Sequence, residues 1–426
     1  MCLSTSKRDF GTMVGLSKQS KIDIISTVIL IGFVSTFLSG MVLSATGMIL
    51  NLFSFLFASA DVFSDFALTH QATLYTTPYT LHISQFNYFA ITYQLAALLG
   101  CLPEDVALYL VCSIFILFFM GLCKKYLTQG GRVVTLKNML IFSFLSYPFV
   151  FALSRANYEC ILFILISLFV FFYSDVRKAK LTAIFLALSI AMKLFPAVFL
   201  ILYLGDKRYK EVVYISLLAL AISIAGYAFL ENGLIKNIQD HLINLALYNR
   251  DYAIGNGGLA FGHSLYGLVK FFMAYCAPLF YIHNISHIFK VYSVVSFAIF
   301  FYITWYLLKV ETVFWKKIAL LVFCMDLLPH VSADYKLLYL YLPIFLFIDA
   351  KESSCFDGCY AVVFALLLMF KSYWYFQFAP EAQIVPFSVN TSVVLNPILM
   401  LVAIGFILYQ GLSRRHKVAD STTLSL

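Results

Sequence analysis

The chain has 426 residues, of which 62% are hydrophobic and only 12% charged, with a net charge of +8 and a mean hydropathy of +0.90. A soluble domain carries about 25% charged residues, so no soluble domain of useful size fits here, and the positive excess reads as membrane topology rather than as a nucleic-acid surface. The nine cysteines form no CxxC pair, which argues against a disulfide or zinc framework.

A polar segment, 1–21, ends with Lys18 and Lys21 before the first apolar run. That run is as long as a true span, so a cleavable signal peptide is not expected. Spans are predicted at 22–44, 104–122, 138–153, 158–174, 181–192, 194–204, 211–230, 288–308, 318–330, 337–349, 358–376 and 393–411. The expected fold is an all-α polytopic membrane protein of about twelve transmembrane helices, a single domain over 22–411 with cytoplasmic ends at 1–21 and 412–426. The orientation rests on Lys and Arg, which crowd the N-terminus, the 123–137 loop, 177–180, 207–210, 309–317 and 414–417.

The first external loop, 45–103, is predicted to carry an interfacial helix at 87–101. Segment 181–204 reads as a short hairpin with Lys193 at its apex, because a single span would leave that ammonium in mid-bilayer. The single-span alternative makes 263–280 a span instead of an interfacial helix and keeps the count at twelve.

The ionisable residues that hydropathy does not explain fall on one side of this topology. Asp61 and Asp65, at i and i+4, point the same way if their segment is helical. They suit a base with an orienting acid, or oxygen ligands of a divalent cation, or merely a solvated helix start. Arg155, Asn157 and Glu159 share one turn. Arginine matches phosphate, and Asn and Glu grip sugar hydroxyls; a local Arg155–Glu159 salt bridge is the plainer alternative.

Lys193, in Met192-Lys193-Leu194-Phe195-Pro196, suits a lipid-linked phosphate or a snorkelling ammonium. His263 opens an apolar helix after a Gly-rich stretch, either as a sugar or phosphate contact or as a structural residue. Asp334 and Lys336 flank Tyr335 in a turn between short spans, as site residues or as a charge pair. No Walker sequence and no dinucleotide fingerprint occurs, so a membrane-borne substrate fits better than a cytoplasmic nucleotide.

The order Asp61-x-x-x-Asp65, Thr77-Pro78-Tyr79, Arg155-x-Asn157-x-Glu159, Lys193-x-x-Pro196, Gly262-His263-Ser264 and Ser332-Ala-Asp-Tyr-Lys336 resembles glycosyltransferase family 87 over roughly residues 20–350. That family holds polyprenyl-phosphate-mannose-dependent mannosyltransferases of the GT-C superfamily and bacterial surface-polysaccharide relatives. The resemblance implies a GT-C-like helical bundle whose first external loop carries the catalytic aspartate, at Asp61 or alternatively Asp65. It implies transfer of a sugar, mannose or another hexose, from a polyprenyl-phosphate donor to a glycan or glycolipid acceptor on the non-cytoplasmic face. No cofactor is called for, although a divalent cation is compatible, and the lipid bilayer is the one other partner. The commoner family pattern has Arg-Gly-Asn or Gly-Gln-Asn where this chain has Arg155-Ala156-Asn157, and Tyr or Thr where Phe195 precedes proline.

The site would then pair Asp61 as base with Arg155, Lys193, and His263 or Lys336 as stabilisers of the departing phosphate, while Asn157 and Glu159 position the sugar. The expected location is a bacterial inner membrane, with the site facing the periplasm. The rival classes are a flippase or transporter, which should carry midplane polar groups and internal repeats, and a polysaccharide polymerase acting on lipid-linked glycans.

Overall fold

Long apolar runs without internal breakers leave the backbone little choice but to satisfy its own hydrogen bonds as helices. The computed structural model describes residues 15–45, 62–74, 77–129, 131–255, 257–259, 262–352, 354–371, 375–377 and 388–423. Its helices are α1 (Lys18–Ala45), α2 (Ser64–Gln71), α3 (Ala90–Leu99), α4 (Glu104–Leu127), α5 (Arg132–Phe144), α6 (Tyr147–Arg155), α7 (Glu159–Phe172), α8 (Ala179–Met192) and α9 (Leu200–Gly205). They continue with α10 (Tyr209–Ala228), α11 (Gly233–Tyr248), α12 (Leu265–Cys276), α13 (Pro278–Lys309), α14 (Phe314–Leu327), α15 (Tyr341–Asp349), α16 (Asp357–Leu368) and α17 (Thr391–Thr423). A two-stranded antiparallel ladder, β1 (Tyr375–Gln377) and β2 (Ser388–Asn390), sets Phe376 opposite Val389 before α17.

Five segments are long and apolar enough to cross a bilayer: Lys18–Val42, Glu104–Leu127, Tyr209–Ala228, His283–Lys309 and Thr391–Arg415. Helix α4 also has its charges arranged along the helix dipole, with Glu104 and Asp105 in the first turn and Lys124 and Lys125 in the last. A sixth candidate is α5 with α6, bent by 57°. Pro148 in the first turn of α6 has no N–H, and the Ser146 hydroxyl instead donates to the Phe142 carbonyl at 2.7 Å. The expected span 138–153 is therefore a broken helix.

Length and composition thus give five spans, or six with the bent pair, where the sequence suggested twelve. The difference lies in the short helices. A helix such as α7, with 14 residues, is about 21 Å long, less than a hydrocarbon core of about 30 Å. Helix α14 shows why hydropathy alone does not settle the number: Ile318 through Phe323 are all fully buried. A helix that is apolar all round is either wrapped by lipid or wrapped by protein, and its sequence reads the same in both cases.

The 181–204 segment does reverse. At its far end the Thr92 hydroxyl donates to the Met192 carbonyl, and at its return the Tyr173 hydroxyl, next to the start of α8, donates to Asp206 at 2.7 Å. Lys193 at the apex has an extended backbone, φ −151°. The expected helix in the first external loop is present, and the stretch before His263 is also helical. Segment 87–101 contains α3, and the hydrophilic stretch 231–262 forms α11, followed by a π-helical turn over Asn249–Ile254.

Candidate active site

The turn between α6 and α7 organises the site. Ala156 caps α6 in the left-handed region at φ 46°, a conformation that costs an L-residue about 1–2 kcal/mol and that glycine adopts freely. It occupies the middle position of the Arg-Ala-Asn motif. The Phe63 N–H donates to the Ser154 carbonyl at 2.7 Å, so the start of α2 is tied to this same turn.

Arg155 Nη2 lies 3.1 Å from Asp65 Oδ1, and Asn157 Nδ2 donates to Asp65 Oδ2 at 2.9 Å. The Asn157 side-chain oxygen Oδ1 accepts from the Tyr88 hydroxyl and from the Glu159 backbone N–H, both at 3.0 Å. Glu159 therefore turns away from Arg155. Its fully buried carboxylate takes Lys193 Nζ on one oxygen and the Tyr339 hydroxyl on the other. The Lys193 ammonium also stands over the rings of Tyr88, at 4.6 Å, and Tyr335, at 5.3 Å, contacts that favour a cation.

Lys336 Nζ sits 4.7 Å from the centre of the Phe195 ring, and no carboxylate lies within ion-pair distance of it among the described residues. Its electrostatic partners are Glu159 and the fully buried Asp326. Neither Asp326 oxygen finds a hydrogen bond among the described residues.

These groups face a cleft of about 730 Å³. Asp65, Arg155, Asn157, Lys193 and Lys336 line it, and Glu159 lies beneath Lys193. Neutral polar groups line it as well: Gln85, Asn87, Asn249 and the stacked pair Tyr248 and Tyr252, with ring centres 4.9 Å apart. Helix α12 ties down the π-helical turn that carries Asn249 and Tyr252 through Lys270, whose ammonium donates to the carbonyls of Ala253 (2.9 Å) and Gly255 at the end of that turn. Burial pushes the Lys270 ammonium down to about 7.

His263 and Asp334 lie outside the cleft lining. They pair with each other, buried, behind the segment that carries Tyr335 and Lys336. The Tyr147 hydroxyl donates to the other Asp334 oxygen, and Asn396 of α17 meets His263 Nδ1 at 3.2 Å. A bridge between Gly262 and Ala333 and the His263 N–H to Ser332 carbonyl bond, 2.7 Å, complete this joint. Asp61 lies outside the described residues. Among the described residues no three His, Cys, Asp or Glu side chains gather to hold a metal ion.

Sequence reasoning missed Tyr88, Tyr339, Asp326 and Asn396. The tyrosines are hidden among 28. Asp326 did carry a signal, an acid inside the apolar run 318–330.

A model of glycosyltransferase family 87 matches residues 86–325, more than half of the chain, and covers the α6–α7 turn, Lys193 and His263. Neither a curated protein nor a solved structure matches the chain. With that match over more than half of the chain, Arg155 and Lys193 of the cleft among the residues covered, the chain belongs to glycosyltransferase family 87, a family of membrane glycosyltransferases.

Proposed function

We propose that this glycosyltransferase moves a hexose, mannose among the candidates, from a polyprenyl-phosphate carrier to a hydroxyl of a glycan or glycolipid, in the cleft between the α6–α7 turn and the Asn249–Ile254 turn. The observation that carries this reading is the convergence of Arg155, Lys193 and Lys336 on one cleft that also offers amide and tyrosine groups. Three cations suit a phosphate, and neutral hydrogen-bonding groups with aromatic faces suit sugar rings. In the finer topology that we favour, twelve segments enter the membrane, and the cleft opens on the non-cytoplasmic side of a bacterial inner membrane.

In the reaction the acceptor oxygen attacks the anomeric carbon as the bond from that carbon to the phosphate oxygen breaks. The electron pair leaves with the polyprenyl phosphate, whose developing charge Lys193, Lys336 and Arg155 stabilise. The acceptor proton passes to a carboxylate, for which Asp61 is our candidate. Asp65 orients the site through Arg155 and Asn157. His263 and Asp334 act at one remove, by fixing the segment that presents Lys336.

Proteoliposomes given radiolabelled polyprenyl-phosphate hexose, with a lipid and glycan extract as acceptor, test the donor class. Label should pass from the polyprenyl carrier to the acceptor fraction. Transfer from a nucleotide sugar alone, with none from the lipid donor, would overturn the proposal.

A further inference from the structure

Helix α11, which runs from the end of α10 to the cleft, turns its polar side inward. Asn237, Asp240, His241 and Asn244 are all buried. Asn237 donates to the carbonyls of Tyr227 (3.1 Å) and Gly233 (2.8 Å), and Asn244 donates to the Phe86 carbonyl at 2.9 Å. His241 Nε2 meets the Asn87 carbonyl at 3.1 Å. These bonds fix the rotation of the helix about its axis. Rolling it to hide its apolar side would break them and leave buried polar groups without partners.

The apolar side is therefore left outward. Ile235 is 73% exposed and Leu242 59%, with exposed Ile238 between them, and Leu245 continues the row into the cleft. Their spacing, i, i+3, i+7 and i+10, puts the four on one stripe, about 15 Å long. Exposed Lys236 and Gln239 lie to one side of it. The helix has only 16 residues and is not among the spans, so the stripe does not serve a crossing of the bilayer.

At the cleft the stripe meets the cationic groups. Tyr248, in the last turn of α11, is an electrostatic neighbour of Lys193. Leu194, next to Lys193 and also lining the cleft, is 65% exposed. A leucine beside an ammonium offers nothing to a phosphate. It suits an apolar group joined to that phosphate.

Resting on the donor class proposed above, we infer that Leu194, Leu245, Leu242, Ile238 and Ile235 form the track along which the isoprenoid chain of the lipid donor leaves the cleft. In a polyprenyl phosphate the apolar chain begins at the phosphate oxygen itself. A phosphate held at Lys193 thus brings the first isoprene units to Leu194 and Leu245, and the following ones to the outward face of α11. A glycolipid acceptor carries sugars between its reacting hydroxyl and its chain, which keeps that chain away from the phosphate cations. The helix accordingly recognises the length of the carrier and not its sugar, since a long chain covers the stripe and a short one leaves it bare.

The test compares undecaprenyl-phosphate and geranyl-phosphate donors of the same hexose, with the full-length protein at one fixed detergent concentration. KM for the geranyl donor should exceed KM for the undecaprenyl donor. Leu194→Ala, Ile238→Ala and Leu242→Ala truncate side chains that the fold leaves exposed, and each should narrow that ratio by about threefold or more. Leu217→Ala, at an exposed position of α10 away from the stripe, should leave the ratio unchanged. An unchanged ratio in all three track variants, or equal narrowing in Leu217→Ala, would overturn the inference. So would a raised KM for a glycolipid acceptor with the donor ratio unmoved, which would give the stripe to the acceptor's chain. If neither donor is used, the transfer reading fails by itself, and binding of undecaprenyl phosphate against geranyl phosphate, by native mass spectrometry, decides for the track. The long-chain preference should then narrow in the same three variants, and its absence in the wild type would overturn the inference.

Discussion

Glu159 and Lys193 form an ion pair in which the carboxylate is fully buried and the ammonium keeps one edge in the cleft. The pair joins the start of α7 to the apex of the α8–α9 reversal. The Tyr339 hydroxyl fixes the second carboxylate oxygen, so the ammonium is held where a phosphate oxygen would meet it. Removing one partner of such a pair strands a buried charge and costs about 3 kcal/mol or more, whereas removing both costs less. A double-mutant cycle in detergent should therefore find Glu159→Gln plus Lys193→Met less destabilised than the sum of the two single changes. Strict additivity would mean that the two side chains do not act as a pair.

Lys336 and Asp334 are two residues apart in sequence, but only Lys336 faces the cleft. Lys336→Met should raise KM for the lipid donor and lower kcat/KM by about 100-fold, as for loss of one charge-stabilising donor. Asp334→Asn should instead act on stability, by about 2 kcal/mol, since it weakens a buried network. Thermal melts and donor titrations on both variants separate the roles. A large donor defect with unchanged stability in Asp334→Asn would place Asp334 in the site.

The Lys270 ammonium, lowered by burial to about 7 in the folded chain against its ordinary value of 10.5, sets a pH dependence with a fixed sign. Between about 7 and 10.5 the unfolded state holds the extra proton, so stability rises as pH rises through that window. It is lost as pH falls through the folded value. Melting temperature should climb between pH 7 and 9.5 more steeply in the wild type than in Lys270→Met. Parallel slopes would contradict the buried setting of this lysine.

The local breaks in hydropathy were legible, because a charged residue beside proline or in a short turn stands out against an apolar run. Arg155, Asn157, Glu159 and Lys193 were found in this way, and so was the reversal at Lys193. Their partners were not legible. Arg155 pairs with Asp65 rather than with Glu159 because Ala156, in the left-handed region, separates the two directions, and that bond joins distant segments. His263 and Asp334 looked like cleft residues because they are polar and near a turn, yet they stand against each other in the core. How many segments enter the membrane was not legible for a related reason. Helices such as α14 and α16 are apolar because protein surrounds them, and composition does not report what the surroundings are.

The central claim is transfer from a polyprenyl-phosphate hexose at this cleft, with an aspartate of the α1–α2 segment as base. The most direct measurement is the transfer rate in proteoliposomes for the wild type beside Asp61→Asn and Asp65→Asn, each checked for folding and membrane insertion. The account predicts transfer by the wild type and a loss of kcat of at least about 100-fold in Asp61→Asn. Asp65→Asn should show a milder loss, expressed through the placement of Arg155 and Asn157. Full activity in Asp61→Asn would remove it as the base, and no transfer by the wild type from any polyprenyl-phosphate hexose would contradict the account as a whole.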